Sequence, residues 1–417
     1  MRKSTRKFIK RYKKIIFIIV SFILTIILFI TVKGMSSSKG KETVKEKQTF
    51  KNRVINNTNE IINKDLEVFI EDFFNSYYKS MKELKSIDMK NYFSKNSKKD
   101  YYIYQASIDT LINSRKSQKN DLSLDDCYYD LTFNLIEESN KEYKIDILED
   151  GYFKFNYIKK ITSKTYNILN SFVLVKEKNN FKIKSYKKDQ DFYTMIDLIV
   201  DKELSDKDFK TSIDSLVDKY SRQIDRMHDG QLDDFESYIK NKNIGFKKCD
   251  NKYAGKKAAE FAKQHVTKKT ESYYEDYNSQ NMVSWALVEG DIPMDYKGYY
   301  LWKHYDSWLD EYNTKEGRTA SFIDPTYFYN YALKNDEYGL CSEVDVNSFY
   351  GEIGDVVILG FNKDYYQSSM VIDVIKDKDG NVIDLLLASN NMDAFDYPLS
   401  AYVYPIKTLI KIIGWNN

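Results

Sequence analysis

The sequence predicts an α+β protein held by an N-terminal membrane-spanning helix, and three observations predict it. An uncharged apolar run occupies residues 15–32 behind a basic N-terminus. A helical pattern from residue 65 gives way to alternating strand patterns up to about residue 190. All four Trp, all four Pro and 11 of the 15 Gly lie after residue 240, which marks a second globular compartment. A chain of 417 residues has room for two or three domains of ordinary size.

Residues 15–32, IIFIIVSFILTIILFITV, hold only Ser21, Thr25 and Thr31 as polar residues. A helix of that length spans about 27 Å, enough for a bilayer core. The segment 1–14, MRKSTRKFIKRYKK, carries eight Lys/Arg and no acid. The positive-inside rule then places the N-terminus in the cytoplasm and residues 33–417 outside. A cleaved signal peptide fits less well, because the run is long and no A-x-A site follows it. The expected location is the cell membrane, crossed once, with the bulk of the chain extracellular.

The net charge of +2 hides an asymmetry. With the first eight basic residues set aside, 56 Lys/Arg face 62 Asp/Glu, a balance of −6 with no overall pull towards nucleic acid. Cys127, Cys249 and Cys341 lie far apart with no His nearby, which excludes a zinc ribbon and a disulfide-dense scaffold. Asp377 and Asp379 in DKDGN lack the twelve-residue calcium-loop spacing and read as a hairpin turn. No metal and no cofactor is expected.

Residues 33–64 are polar and read as a stalk. In 65–190, Val68, Phe69, Phe73 and Tyr77 recur at helical spacing, and a second helix is expected at 101–114. Strand patterns follow, with turns expected at Ser139-Asn140, Asp150-Gly151 and Asn179-Asn180. Two helices before a curved antiparallel sheet resemble the cone-shaped fold of the nuclear transport factor 2 type, and the expected role is a spacer or interaction module. Residues 191–249 read as a charged helical connector, with His228 expected on its surface.

The segment 250–417 holds the motifs. Ala258, Ala259, Ala262 and Val266 share one helix face. A second helix is expected to begin near Ser279, bury Met282, Val283, Ala286 and Leu287, and stop at Gly290. The run GEIGDVVILG (351–360) reads as a turn into a strand, and SSMVIDVI (368–375) and VIDLLLAS (382–389) read as antiparallel strands joined by a turn. The string NSQNMVSWAL (278–287), then EGDIPM (289–294), YNYAL (329–333) and Gly354-Asp355-Val356-Val357 resemble, in order and spacing, the putative amidase domain family of bacterial surface proteins. That family is related to the papain-like cell-wall hydrolases of the NlpC and CHAP types.

The resemblance implies a papain-like α+β domain over about residues 250–417. In such a domain a Cys at a helix N-terminus is the nucleophile, a His on the neighbouring strand is its base, and a further polar residue orients the ring. By this resemblance the nucleophile position is Ser279, the base position Ser368 and the next polar position Asn390, while Asn278 stands where the family has Asp. The sequence therefore predicts an amidase-like domain that has lost catalysis and serves in binding peptidoglycan or a cell-surface protein. Tyr277, Asn278, Asn281 and Trp285 are the expected lining of its groove. The alternatives are an active amidase or peptidase with an unorthodox Ser279 site, and a structural partner of other membrane proteins. The abundance of Lys, Asn, Ile and Tyr points to an AT-rich bacterial genome and a Gram-positive surface.

Overall fold

The computed structural model describes residues 51–139, 142–267, 278–297, 301–304, 318–361 and 364–417. The expected anchor at 15–32, the basic segment before it and the stalk as far as residue 50 lie outside them. Among the described residues, no helix is long and apolar enough to cross a membrane. The expected fold class is corrected accordingly. What the structure holds is an α+β fold built on one sheet of twelve strands, and residues 51–417 form one compact unit.

Helix α1 (Lys64–Glu83) starts at Asn63, whose side chain accepts the Asp65 N–H at 2.9 Å, with Asp65 and Glu67 at the positive end of the helix dipole. It buries Phe73, Phe74, Tyr77 and Tyr78 together with apolar residues of α2 (Lys98–Lys116). Phe73 stacks on Tyr104 at 5.0 Å and meets Phe172 of the sheet edge-on at 5.5 Å. This part of the core is largely aromatic, which is where the abundance of Tyr and Phe goes.

The sheet begins with β1 (Arg53–Asn56), parallel to β2 (Leu124–Ser139). Then β3 (Glu142–Phe155), β4 (Ser163–Glu177) and β5 (Asn180–Lys188) follow as an antiparallel meander. The turn expected at Asp150-Gly151 is corrected: β3 runs straight through it, with a register shift against β4. Gly151 is there for close approach, since a Cβ would lie 2.7 Å from the Tyr78 hydroxyl and 2.8 Å from Thr165 Oγ1. The β4–β5 turn falls at Lys178-Asn179, both with positive φ, one residue earlier than expected.

Helices α3 (Asp191–Ile199) and α4 (Asp206–Lys240) follow. Along α4, Phe209, Ile213, Tyr220 and Ile224 form a buried stripe, and His228 continues it. His228 is thus buried and not on the surface as expected, with its ring nitrogens bonded to Ser117 Oγ and Gln118 Nε2.

The C-terminal part has β6 (Asn251–Lys252), α5 (Gly255–His265), α6 (Asn278–Glu289), α7 (Ala320–Ile323) and α8 (Pro325–Lys334). Strands β7 (Gly339–Val346), β8 (Val356–Phe361), β9 (Asp364–Lys376), β10 (Val382–Ser389), β11 (Ala394–Pro398) and β12 (Ile406–Asn416) complete it. Strand order is β1-β2-β3-β4-β11-β10-β9-β8-β12-β6, with β5 on β4 and β7 on β12. In the β9–β10 hairpin the Asp377 carboxylate accepts the N–H groups of Asp379 and Asn381, at 2.9 and 2.8 Å, and Gly380 takes positive φ. Those acids shape a turn.

The link between the two parts of the sheet is short: Thr165 pairs with Ala394 and Lys164 with Phe395. Buried Asp384 reinforces it. Its carboxylate accepts from the backbone N–H groups of Leu385 and Ser400, the hydroxyls of Ser400 and Tyr157, and Asn120 Nδ2. Burial raises the pKa of this carboxyl, while five donors on four residues from separate segments supply the hydrogen bonds that water would otherwise make.

Cys249 and Cys341, far apart in the sequence, form a disulfide across 92 residues. Strand β12 explains the pairing: Gly414 pairs with Lys252 of β6 and with Cys341 of β7, and a Cβ on Gly414 would lie 3.1 Å from Cys249 Cβ. No local spacing announces a contact made through a third strand. Replacing both cysteines with Ser should lower the unfolding free energy by roughly 2–4 kcal/mol in urea titration, the usual range for a cross-link of this kind.

Burial, and secondarily Lys407, lowers the His228 pKa from 6.5 to about 3; burial and Arg318 lower that of His304 to about 4. The folded state therefore keeps both rings neutral, whereas the unfolded chain protonates them near 6.5. Stability should be unaffected by these groups above pH 6.5 and fall as pH drops from there towards 4, by at most about 1.4 kcal/mol per pH unit per ring. Denaturant titrations from pH 8 to 4 should show the fall, and His228→Gln should make it shallower.

Candidate functional site

Helix α6 lies against β9, and nothing about it is amphipathic. From Ser279 to Leu287 every residue is buried, the polar ones included. Met282, Val283, Ala286 and Leu287 are in the core as expected, and the helix ends before Gly290. A Cβ on Gly290 would collide with the ring of Tyr253.

The first turn of α6 meets the middle of β9. Ser279, 0 % exposed, accepts the backbone N–H of Ser368 through Oγ at 3.2 Å. The Ser368 hydroxyl donates to Gln280 Oε1 at 2.5 Å. Gln280 Nε2 in turn donates to Ser284 Oγ at 2.9 Å, one helical turn further on. Ser284 donates to the Phe322 carbonyl at 2.7 Å and also accepts the indole N–H of Trp302 at 3.1 Å. The result is a closed chain of neutral hydrogen bonds running from β9 through α6 to α7.

A second polar group lies beside it. Gln367 Nε2 donates to Ser389 Oγ at 2.6 Å, and Ser389 Oγ donates to the Ser368 carbonyl at 3.3 Å. Asn390 is buried immediately after Ser389, at the end of β10. The structure thus joins Ser279 to Ser368 directly and sets Asn390 next to the residue that contacts Ser368. Tyr277 lies outside the described residues, as does the side chain of Asn278. Asn281 is buried, and Trp285, at 6 % exposure, packs edge-on against His304 at 5.5 Å and Phe322 at 5.5 Å. Trp285 therefore sits in the core and not on an open groove wall.

None of these groups carries a charge. Neither an imidazole nor a carboxylate is hydrogen-bonded to Ser279 Oγ among the described residues. His304 packs on Trp285 and Phe322, and burial holds it neutral. His265 stacks on Phe261 at 3.9 Å, with Nδ1 2.8 Å from the Phe261 carbonyl. The positive end of a helix helps an anion form, but a hydroxyl starts far above a thiol in pKa, so a dipole alone does not produce the alkoxide.

The Gly354-Asp355 pair has a structural task. Gly354 adopts φ +99° where its Cα packs on Gly255, and the Tyr253 hydroxyl donates to its carbonyl at 2.9 Å. Asp355 accepts the N–H groups of Glu352 at 2.7 Å and Ile412 at 2.9 Å and pairs with Lys411 at 3.1 Å; burial still raises its pKa to about 6. The pair anchors the entry of β8 to α5 and β12.

Gln280, Ser284, Gln367, Ser389 and Trp302 are the participants that motif reading missed. One signal was available: Gln280 and Ser284 lie four apart on an otherwise apolar helix, and such a pair bonds along the axis. Gln280→Leu should cost about 1–3 kcal/mol, because it strands the buried Ser368 hydroxyl. Combining it with Ser368→Ala should recover part of that loss, and a double-mutant cycle by chemical denaturation measures the coupling.

No curated protein and no solved structure matches the chain. The model of the family described as "Putative amidase domain" matches residues 252–413, the part of the chain from β6 into β12.

Proposed function

We propose that the amidase-family domain no longer hydrolyses amide bonds and acts as a binding module for peptidoglycan or for a protein at the cell surface. One observation carries this reading: Ser279 and Ser368, at the positions where the family has its nucleophile and base, are fully buried and bonded to each other and to Gln280. A nucleophile must reach its substrate and hand its proton to a base. Ser279 has neither the access nor the base. The Ser368 hydroxyl is committed to Gln280, so a water or substrate would have to break a buried, satisfied hydrogen bond to enter.

The description of the matching family as an amidase domain makes an amide-rich ligand, such as a peptidoglycan stem peptide, the first candidate. The Cys249–Cys341 disulfide supports a location outside the reducing cytoplasm.

The test uses the full chain with purified cell-wall sacculi, following soluble muropeptides by mass spectrometry and bound protein by co-sedimentation. The expected result is co-sedimentation with no new fragments. Fragments that vanish in a parallel Ser279→Ala sample would overturn the loss of catalysis. Absence of both fragments and binding would overturn wall binding and leave a protein ligand.

A further inference from the structure

Arg115, in the last turn of α2, is 3 % exposed and has no carboxylate partner among the described residues. Its Nη2 donates to the Tyr397 hydroxyl at 2.7 Å, its Nη1 lies 3.8 Å from the Met81 sulfur, and its guanidinium sits 5.5 Å over the ring of Phe155. Nε has no hydrogen-bond partner. Buried arginines are almost always paired with an anion.

The nearby acid, Glu149, is already engaged. It pairs with buried Lys188 at 3.0 Å and accepts from the Tyr78 hydroxyl at 2.9 Å and from Asn170 Nδ2 at 3.1 Å. Glu149 and Lys188 pair with each other, which leaves the Arg115 guanidinium without a carboxylate of its own among the described residues. The carbonyls at the C-terminal end of α2 offset about half a charge, but they do not fill the guanidinium's hydrogen-bonding capacity.

Beside this group lies a cavity of about 40 Å³ at the seam between the first helices and the C-terminal part. Tyr397, the Arg115 partner, lines it, and so does Tyr77, whose ring lies 4.3 Å under the Lys188 ammonium. A phenol that accepts from Arg115 keeps its own proton to donate into the cavity. The other walls are apolar at Met392 and Val403, and the partly exposed Ser107 and Leu111 form part of the rim. The space admits about three water-sized groups.

We infer that this seam cavity binds a small carboxylate, its head held by the Tyr397 and Tyr77 hydroxyls in the field of Arg115 and its short apolar tail against Met392 and Val403. A guanidinium without a carboxylate partner matches a monoanion, and the apolar walls favour an organic acid over an inorganic ion. Because the site joins α2 to β11, its ligand would clamp the two parts of the sheet together.

The probes are sodium acetate and sodium propionate added to the full chain, with acetamide and sodium chloride at equal concentration as controls. Saturation-transfer NMR reads contact with the methyl protons, and thermal unfolding reads stabilisation. The expected result is a signal and a raised unfolding midpoint with both carboxylates, absent with acetamide and chloride. Tyr397→Phe, which keeps the ring packing, should weaken binding roughly tenfold. Arg115→Met should abolish it, and if that variant does not fold, Tyr397→Phe decides. Equal effects of acetamide or chloride, no effect of either carboxylate, or unchanged binding in Tyr397→Phe would each overturn the assignment.

Discussion

Thr165 with Ala394 and Lys164 with Phe395 are the residue pairs through which the hydrogen-bonded sheet of the first 190 residues continues into that of the last 170. So short a ladder could not hold two large bodies in one orientation. It persists because the side chains around it are buried and polar: Asp384 collects donors from β10 itself, the turn after β11, the turn after β3 and the segment after α2. A buried carboxylate with every acceptor site filled tolerates few rearrangements, so register and orientation are set by the demand that no polar group be left unpaired.

The amidase-family part shows the same economy. In a papain-like site a thiol, an imidazole and a third polar group form a chain that moves protons. Here the corresponding chain is Ser279, Ser368, Gln280 and Ser284, all neutral, each hydroxyl or amide satisfied by the next. Because each member satisfies its neighbour, the polar atoms at this helix start are compatible with burial in the core.

Much of this domain was legible from the sequence because its signals are local. The alanine face of α5, the apolar face and glycine stop of α6, and the β9–β10 hairpin follow from periodicities of 3.6 and 2 and from turn residues. The order of the amidase-like motifs singled out Ser279 and Ser368, which the structure joins by a hydrogen bond. Features that depend on distant chain stayed hidden. Gly151 looks like a turn until Tyr78 from α1 is placed above it. His228 looks like a surface residue until α4 lies against the segment after α2. Gln280 looks like one more exposed amide until β9 brings Ser368 to it. The apolar run at 15–32 lies outside the described residues.

The sulfur bridge between Cys249 and Cys341 closes a loop that contains α5, α6, α7 and α8. A mechanical load entering the chain ahead of Cys249 would pass from one sulfur to the other into β7, and from β7 into β12 along their shared ladder. The intervening helices would bear none of it. Tension that reached Cys249 along the backbone would therefore bypass α5, α6, α7 and α8.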